Sequence, residues 1–339
     1  KKAQKGKGKD EEEDTSTADL LHYYKRYCKA NAIHFCKGIE KQINEKIEET
    51  LDLPELLIEE KIGEEGCIEF SKALKIVNKG EGYKHLQSIR VWEGNIGNQG
   101  VRAFYTYISE TKATKVNLLE FINCGIGELG CEFISRLLNP LTPFAIKILT
   151  LDYNNFGDKG LRQLANNLRF NVTLNYLSLN YCGITEEGVS YIRQIFENNS
   201  EIEKIFLQGN PIGNKGIADF LGLLSEKEEL PLEEVNISNT QVGNDQVFIN
   251  SLVACMNSNK TIHTYNLKYN LISPIEFKFL IKTLQEQKGR DDKHIYQIPI
   301  DEVYEQLDFK AFFDILKSRK KPKKKKPAKK ATKTKGKGK

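Results

Sequence analysis

The stretch "LQGNPIGNKGIADFL", Leu207 to Leu221, decides the fold because its pattern recurs along the chain. Ile205 and Leu207 alternate as in a half-buried strand, an Asn–Pro turn follows, and a helical phrase begins after Gly213. When the stretch is aligned on Ile212, the residue before that glycine, the same frame fits seven other positions. The other anchor residues are Ile62, Ile96, Ile126, Phe156, Ile184, Val242 and Ile272. The pattern therefore predicts a repeat protein.

Three further positions of each repeat are nearly constant. Apolar residues stand five and seven positions before the anchor, as Leu177 and Leu179 do before Ile184. Asn or Cys often stands two positions before the anchor, and Gly stands four positions after it in six units. Anchors are 28 to 34 residues apart. This pattern resembles the leucine-rich repeat, L-x-x-L-x-L-x-x-N/C-x-L, in which the Asn or Cys turns inward to bond backbone groups.

The repeats predict an α/β fold, a leucine-rich-repeat solenoid of about eight strand–turn–helix units with a parallel concave sheet, over residues 51–285. The long period resembles the ribonuclease-inhibitor type, in which a full helix follows each strand. Residues 17–50 are expected to form a helical N-terminal cap, and residues 286–316 a helical C-terminal cap. Residues 1–16 and 317–339 are charged, low-complexity ends that we expect to be disordered.

The basic charge of the chain is concentrated at its C-terminal end. Residues 317–339 hold fourteen Lys or Arg and no acidic residue, so the net charge of +5 for the whole chain leaves −9 for the rest. Such a Lys block, interrupted by Pro, predicts a polyanionic partner. Acidic tubulin tails, nucleic acid and acidic proteins are all candidates. The residues predicted to bind the polyanion are Lys320, Lys321, Lys323, Lys324, Lys325, Lys326, Lys329 and Lys330.

No motif in the sequence predicts catalysis. There is no HExxH pair and no phosphate-binding P-loop, and "GNIGNQG" at Gly94–Gly100 is a repeat turn. The seven Cys include no CxxC and are expected to be reduced and mostly buried. No run of 18 apolar residues predicts a transmembrane helix, and no signal peptide is visible. We therefore expect a protein that is not an enzyme, holds no metal or cofactor, and does not enter a membrane.

The strands indicate where a partner protein binds. Residues between the buried strand positions face the concave side, and they are mainly apolar in the early repeats and polar later, as at Ser178 and Asn236. The concave residues predicted to bind a partner are Leu56, Ile58, Arg90, Trp92, Glu120, Ile122 and Phe206. Apolar surface with Arg beside an aromatic residue is typical of interface centres. In the alternative arrangement, the N-terminal cap folds over this surface and buries it.

The segment before the repeats carries a second resemblance. A Tyr-x-x-x-Cys segment, Tyr24 to Cys28, is followed by an apolar helical run and then by the repeats. This order resembles leucine-rich-repeat proteins of centrosomes and cilia, including subunits of the axonemal dynein regulatory complex, although Phe35 stands where that group has Pro. The resemblance implies a structural scaffold of an axoneme or centriole, in the cytoplasmic cytoskeleton, with other axonemal proteins as partners.

Two other functions stay open. The Lys-rich end also fits a nuclear import signal and RNA, which is typical of a nuclear or nucleolar adaptor. The third hypothesis is a Ran GTPase-activating type of protein, since that family resembles this chain in repeat type and has a key Arg in a helix after an early repeat turn. Arg102, six residues after Ile96, has the similar place, but Arg162 repeats it, and that family is expected to carry an acidic tail.

Overall fold

A computed structural model describes residues 16–319, apart from residues 200, 228, 288–293, 296 and 302. The strands are β1 (Glu55–Ile58), β2 (Ser88–Trp92), β3 (Leu118–Ile122), β4 (Ile148–Thr150), β5 (Tyr176–Ser178), β6 (Lys204–Phe206), β7 (Glu234–Asn236) and β8 (Thr264–Asn266). The α-helices are α1 (Ser16–Ala30), α2 (Lys37–Glu48), α3 (Gly63–Ile76), α4 (Gly97–Thr111), α5 (Glu128–Leu137), α6 (Gly157–Leu168), α7 (Val189–Asn198), α8 (Gly213–Glu226), α9 (Gln246–Ser258), α10 (Pro274–Gln287) and α11 (Gln306–Lys317).

The strands form one parallel sheet in which each strand pairs with the next along the chain. The pairing keeps the repeat in register, so that Ile89, Leu119, Leu149 and Leu177 lie side by side in the core. One helix follows each strand, and each helix from α3 to α10 packs against the helix of the next repeat. The predicted fold class, a leucine-rich-repeat solenoid with a parallel sheet, is confirmed.

Buried asparagines join neighbouring repeats. The Asn210 side chain donates from Nδ2 to the backbone oxygens of Leu179 and Leu207, both at 2.8 Å. Its Oδ1 accepts from the N–H groups of Cys182 at 2.9 Å and Ile184 at 3.0 Å. One side chain thus satisfies four backbone groups in two repeats, which would otherwise be buried without partners. Asn154 and Asn270 occupy the same position two repeats before and after.

Glycine has two separate roles where a strand leads into a helix. Gly213, directly after the anchor Ile212, has φ of +75°, a left-handed conformation that favours glycine. Gly100, four residues after the anchor Ile96, is required by packing instead, because a Cβ there would lie 2.6 Å from the Ile96 Cβ. The recurring spacing of glycines after the anchors therefore reflects both backbone conformation and the close approach of the helix to its anchor.

The N-terminal cap closes the first edge of the sheet. Helix α1 packs on α3, and α2 lies along β1. The Gln42 side chain donates to the Leu57 oxygen at 2.5 Å and accepts from the Leu57 N–H at 3.0 Å, as a neighbouring strand would. This pairing satisfies an edge strand that would otherwise offer free backbone groups to other chains. The cap covers the edge and the helical side, and Trp92 on the concave side remains 37% exposed.

The C-terminal cap begins with a strand-like segment. Tyr265 N–H donates to the Gln297 oxygen at 3.1 Å and Leu267 N–H to the Pro299 oxygen at 2.8 Å. Helix α11 then packs on α10. The buried Arg319 donates to the Leu284 oxygen at 2.8 Å and the Ile295 oxygen at 3.0 Å, and burial lowers its pKa. The described cap therefore reaches Arg319, three residues beyond the expected boundary at residue 316.

The seven cysteines are free and buried. Burial raises the pKa of Cys124 to about 12 and that of Cys36 to about 11, so both are thiols at neutral pH. None of the helices that the structure describes is both long enough and apolar enough to span a bilayer. Within the same ranges, no group of His, Cys, Asp and Glu side chains is arranged as a metal site.

Candidate protein-binding surface

Leu56 and Ile58, two of the residues predicted to face a partner, are in the core. They are 0% and 1% exposed, and they pair with the inward residues Ile89 and Val91 of β2. The prediction was wrong because β1 and its anchor Ile62 are separated by one residue fewer than in the other repeats. A shift of one residue exchanges the two faces of a strand, so Glu55 and Leu57 take the concave positions.

Apolar side chains cluster on the concave face of the early repeats. Trp92 pairs with Ile122 across β2 and β3, and Leu118, Ile148 and Tyr176 form a row across β3, β4 and β5. The Phe206 ring lies 5.0 Å from the Tyr176 ring and extends the cluster to β6. We call these six residues, Trp92, Leu118, Ile122, Ile148, Tyr176 and Phe206, the apolar patch. Each is half-buried except Trp92, which is exposed.

One hydrogen bond from the indole and one ion pair lie at the Trp92 end of the apolar patch. The Trp92 indole N–H donates to the Glu120 carboxylate, and Arg90 donates from its guanidinium to Glu55 at 3.3 Å. The indole nitrogen therefore has a partner within the chain, and the ring is held over the concave side. A partner protein that covers the ring does not need to supply a hydrogen-bond acceptor for the indole N–H. The same partner contacts Arg90 and Glu120 at the centre of the surface.

The later half of the concave face is polar and internally bonded. The Asp152 carboxylate accepts from Ser178 Oγ at 2.6 Å and from the Asn180 backbone and side-chain nitrogens, each at 2.9 Å. Asn180 Oδ1 accepts in turn from the Gln208 N–H at 2.8 Å, and Asn236 accepts from Ser238 Oγ at 2.6 Å. We call these residues, Asp152, Ser178, Asn180, Gln208, Asn236 and Ser238, the polar ladder.

One exposed feature was not predicted from the sequence. Tyr153 and Tyr181 each stand three residues before an anchor and stack with ring centroids 4.6 Å apart and planes 8° apart. Both have a left-handed backbone, with φ of +60° and +54°, which is uncommon for an aromatic residue. The signal was present in the sequence, because Tyr at the same position of two consecutive repeats places the rings one repeat apart.

The remaining predicted positions are less informative. Arg90, Trp92, Glu120, Ile122 and Phe206 all lie on the concave face as expected from the alternation. The predicted polyanion-binding residues, Lys320, Lys321, Lys323, Lys324, Lys325, Lys326, Lys329 and Lys330, lie outside the described residues. Arg102 is on helix α4, where its guanidinium lies 5.9 Å from the Phe133 ring centroid.

Comparisons with known proteins agree with this architecture. A family model described as "Leucine Rich repeat" matches residues 170–192. NACHT, LRR and PYD domains-containing protein 12 of Mus musculus is 24% identical over 157 residues, which cover 46% of this chain and 14% of that protein. The human NACHT, LRR and PYD domains-containing protein 14 is 28% identical over 154 residues, which cover 45% and 13%.

The ribonuclease inhibitor of Mus musculus is 22% identical over 202 residues, which cover 59% of this chain and 43% of the inhibitor. The chain thus spans less than half the length of each of these three relatives. The chain has a leucine-rich-repeat fold and is similar in sequence to ribonuclease-inhibitor and NACHT–LRR proteins, and this fold supports binding to other proteins.

Proposed function

We propose that this chain is a non-enzymatic scaffold that binds a partner protein on the apolar patch. The observation that carries the proposal is Trp92, the chain's single tryptophan, which stands exposed at the concave surface with its indole N–H already bonded. Large aromatic residues in the centre of a surface supply most of the binding energy at many interfaces. A ribonuclease inhibitor, which by its name acts on another protein, is one of the relatives.

The partner should present an apolar side chain flanked by both signs of charge. Ile122 and Trp92 leave apolar area to cover, while Arg90 and Glu120 lie next to them. Arg90 is paired with the Glu55 carboxylate, whereas the Glu120 carboxylate accepts only the neutral indole N–H, so a partner that excludes water here is expected to offer a cation or a further donor to Glu120. The charges are therefore expected to determine how the partner is oriented more than how tightly it binds.

The scaffold is proposed to work in a ciliary axoneme or centriole. The segment Tyr24–Cys28 before the repeats supports this proposal through its resemblance to ciliary and centrosomal repeat proteins, and the twelve lysines from residue 320 onward suit the acidic tails of tubulin. In this proposal the apolar patch selects an axonemal partner, and the Lys-rich end tethers the scaffold to the microtubule. The alternative role, that of a nuclear RNA-associated adaptor, rests on the same cations.

Cosedimentation separates these functions. The full chain and a chain ending at Arg319 are spun with stabilised microtubules, with microtubules whose acidic tails have been removed by protease, and with structured RNA. The axonemal role predicts that the full chain pellets with intact microtubules, and that binding is lost with either the Lys-rich end or the acidic tails. If the full chain binds RNA at moderate salt and does not pellet with microtubules, the nuclear role replaces the axonemal role.

A further inference from the structure

A second surface lies at the C-terminal edge of the sheet. A groove with a volume of about 520 Å³ runs between the terminal strand-like segment and helix α11. We call it the C-terminal groove; its lining residues are Lys268, Gln297, Ile298, Pro299, Ile300, Phe309, Phe312, Phe313, Leu316 and Lys317. The volume lies within the range of roughly 300–1,000 Å³ that is usual for ligand sites, so the groove has room for more than one apolar side chain.

The groove exists because the end of the solenoid is only partly covered. Gln297 and Pro299 bond to β8 through their backbone oxygens, so the intervening Ile298 points its backbone groups toward the opposite edge. Helix α11 is held beside this edge by the Phe312 ring, which lies 5.1 Å from the Phe277 ring of α10. Phe313, the next residue on the helix, is left 56% exposed.

The described lining of the groove carries charge of one sign. Lys268 and Lys317 belong to it, and among the residues that the structure describes no carboxylate does. The chain leaves the described cap at the buried Arg319, two residues after Lys317, and twelve further lysines follow between residues 320 and 339. Arg319 is bonded to two backbone oxygens of the cap, so the last described residue is held in place two residues after Lys317 of the groove lining.

We propose that the C-terminal groove binds an acidic segment of a partner protein, which inserts apolar side chains between α11 and the terminal strand-like segment. Phe313 and Leu316 contact the inserted apolar side chains above the buried Ile298, and Lys268 and Lys317 pair with the flanking carboxylates. The lysines from residue 320 onward raise the local concentration of acidic chains and speed their encounter with the groove. This surface is separate from the apolar patch, which has charges of both signs.

Fluorescence anisotropy with a labelled peptide tests the proposal. The probe is the 16-residue peptide EEDEEFEELLEEDEEE, and the control peptide has Ser in place of its Phe and both Leu residues. Measurements use the full chain at moderate salt. Three variants are compared, namely Phe313→Ser, the double change Lys268→Ala with Lys317→Ala, and Phe170→Ser. Phe170 is 51% exposed, which makes it a matched control for Phe313, and thermal melting confirms that each variant folds.

We expect the probe to bind the wild-type chain and to lose about tenfold or more in affinity with Phe313→Ser, because the peptide buries the apolar ring of Phe313 and serine offers no such area. Phe170→Ser should leave the affinity unchanged, the double Lys variant should weaken binding and reduce its salt dependence, and the control peptide should bind less tightly than the probe.

Any one of four results would overturn the proposal. No binding of the probe, or equal binding by Phe313→Ser and wild type, shows that the groove does not hold the peptide. A monomer–dimer equilibrium that Phe313→Ser abolishes assigns the groove to a second copy of this chain. Binding of structured RNA that depends on Phe313 assigns the surface to bases rather than to a protein.

Discussion

The early and late halves of the concave face differ at the position four residues before each anchor, which holds Trp92 and Ile122 in the early repeats and Asp152, Asn180 and Gln208 in the later ones. In the late half, Asp152, Asn180 and their neighbours bond to one another across repeats, so the polar ladder helps to hold the solenoid together. In the early half, Trp92, Ile122 and Ile148 show apolar area to solvent that the fold itself does not bury. Stability and binding are therefore placed in different parts of one surface, and substitutions should separate them.

The largest expected effect is on stability, beneath the polar half. Asn210→Ala removes a side chain that satisfies two backbone oxygens and two N–H groups through buried hydrogen bonds. We expect the free energy of unfolding to fall by about 3–5 kcal/mol, because each buried group left without a partner costs about 1–3 kcal/mol. Urea denaturation measures the loss, with the exposed Asn166→Ala as control. A loss below 1 kcal/mol would mean that the repeats do not depend on this asparagine.

The next effect is on binding, in the apolar half. Trp92→Ala combined with Ile122→Ala should weaken the partner's affinity by about 2 kcal/mol or more, roughly thirtyfold, while the melting temperature changes little. Calorimetric titration with the partner and thermal melting give the two quantities. Leu141→Ala, at a residue 92% exposed in the loop before β4, is the control. If the melting temperature falls sharply and binding changes only in proportion to the folded fraction, the patch belongs to the core.

A smaller effect on stability is expected from a substitution in the polar ladder. Asp152→Ala should lower the free energy of unfolding by about 1–2 kcal/mol, since three hydrogen bonds to a carboxylate are lost at a half-buried site. The affinity for a partner on the apolar patch should not change. Denaturation and titration of the same variant measure both. A variant that keeps its stability but loses the partner would place the interface in the polar half instead.

The sequence predicted the solenoid well because its signals repeat. Eight units in phase specify the strand positions, the inward asparagines and the helix that follows, and any one weak unit is corrected by its neighbours. The first unit had a neighbour on only one side. Its three consecutive apolar residues, Leu56, Leu57 and Ile58, fit either face, and alignment on Ile62 chose the wrong one. Only the pairing with β2 fixes the register.

The ends of the chain were harder to predict for a related reason. A cap is not repeated, so its contacts depend on tertiary structure alone. The exchange of hydrogen bonds between Gln42 and Leu57, and the bonds from Arg319 to backbone oxygens, leave no pattern in the sequence. From the sequence alone, Arg319 was interpreted as one more cation of the basic tail. In the structure it is buried and belongs to the C-terminal cap.

Cutting the chain at two nearby places tests how much Arg319 contributes to the C-terminal cap. A chain ending at Arg319 should unfold at the same urea concentration as the full chain, because the described cap is intact. A chain ending at Leu316 lacks Arg319 and leaves the oxygens of Leu284 and Ile295 without that donor, so it should lose about 1–3 kcal/mol. Equal stability of the two truncated chains would show that Arg319 contributes nothing to the cap.

Both truncated chains should also lose the salt-sensitive part of polyanion binding, since both lack the twelve lysines from residue 320 onward. Each contact between a lysine and a polyanion releases counterions, so the affinity of the full chain should fall as a power of the salt concentration. Truncation should flatten that dependence without altering how Trp92→Ala with Ile122→Ala affects the partner of the apolar patch. Titrations at three salt concentrations measure both. A truncated chain with an unchanged salt slope would move the polyanion site from the Lys-rich end to the solenoid.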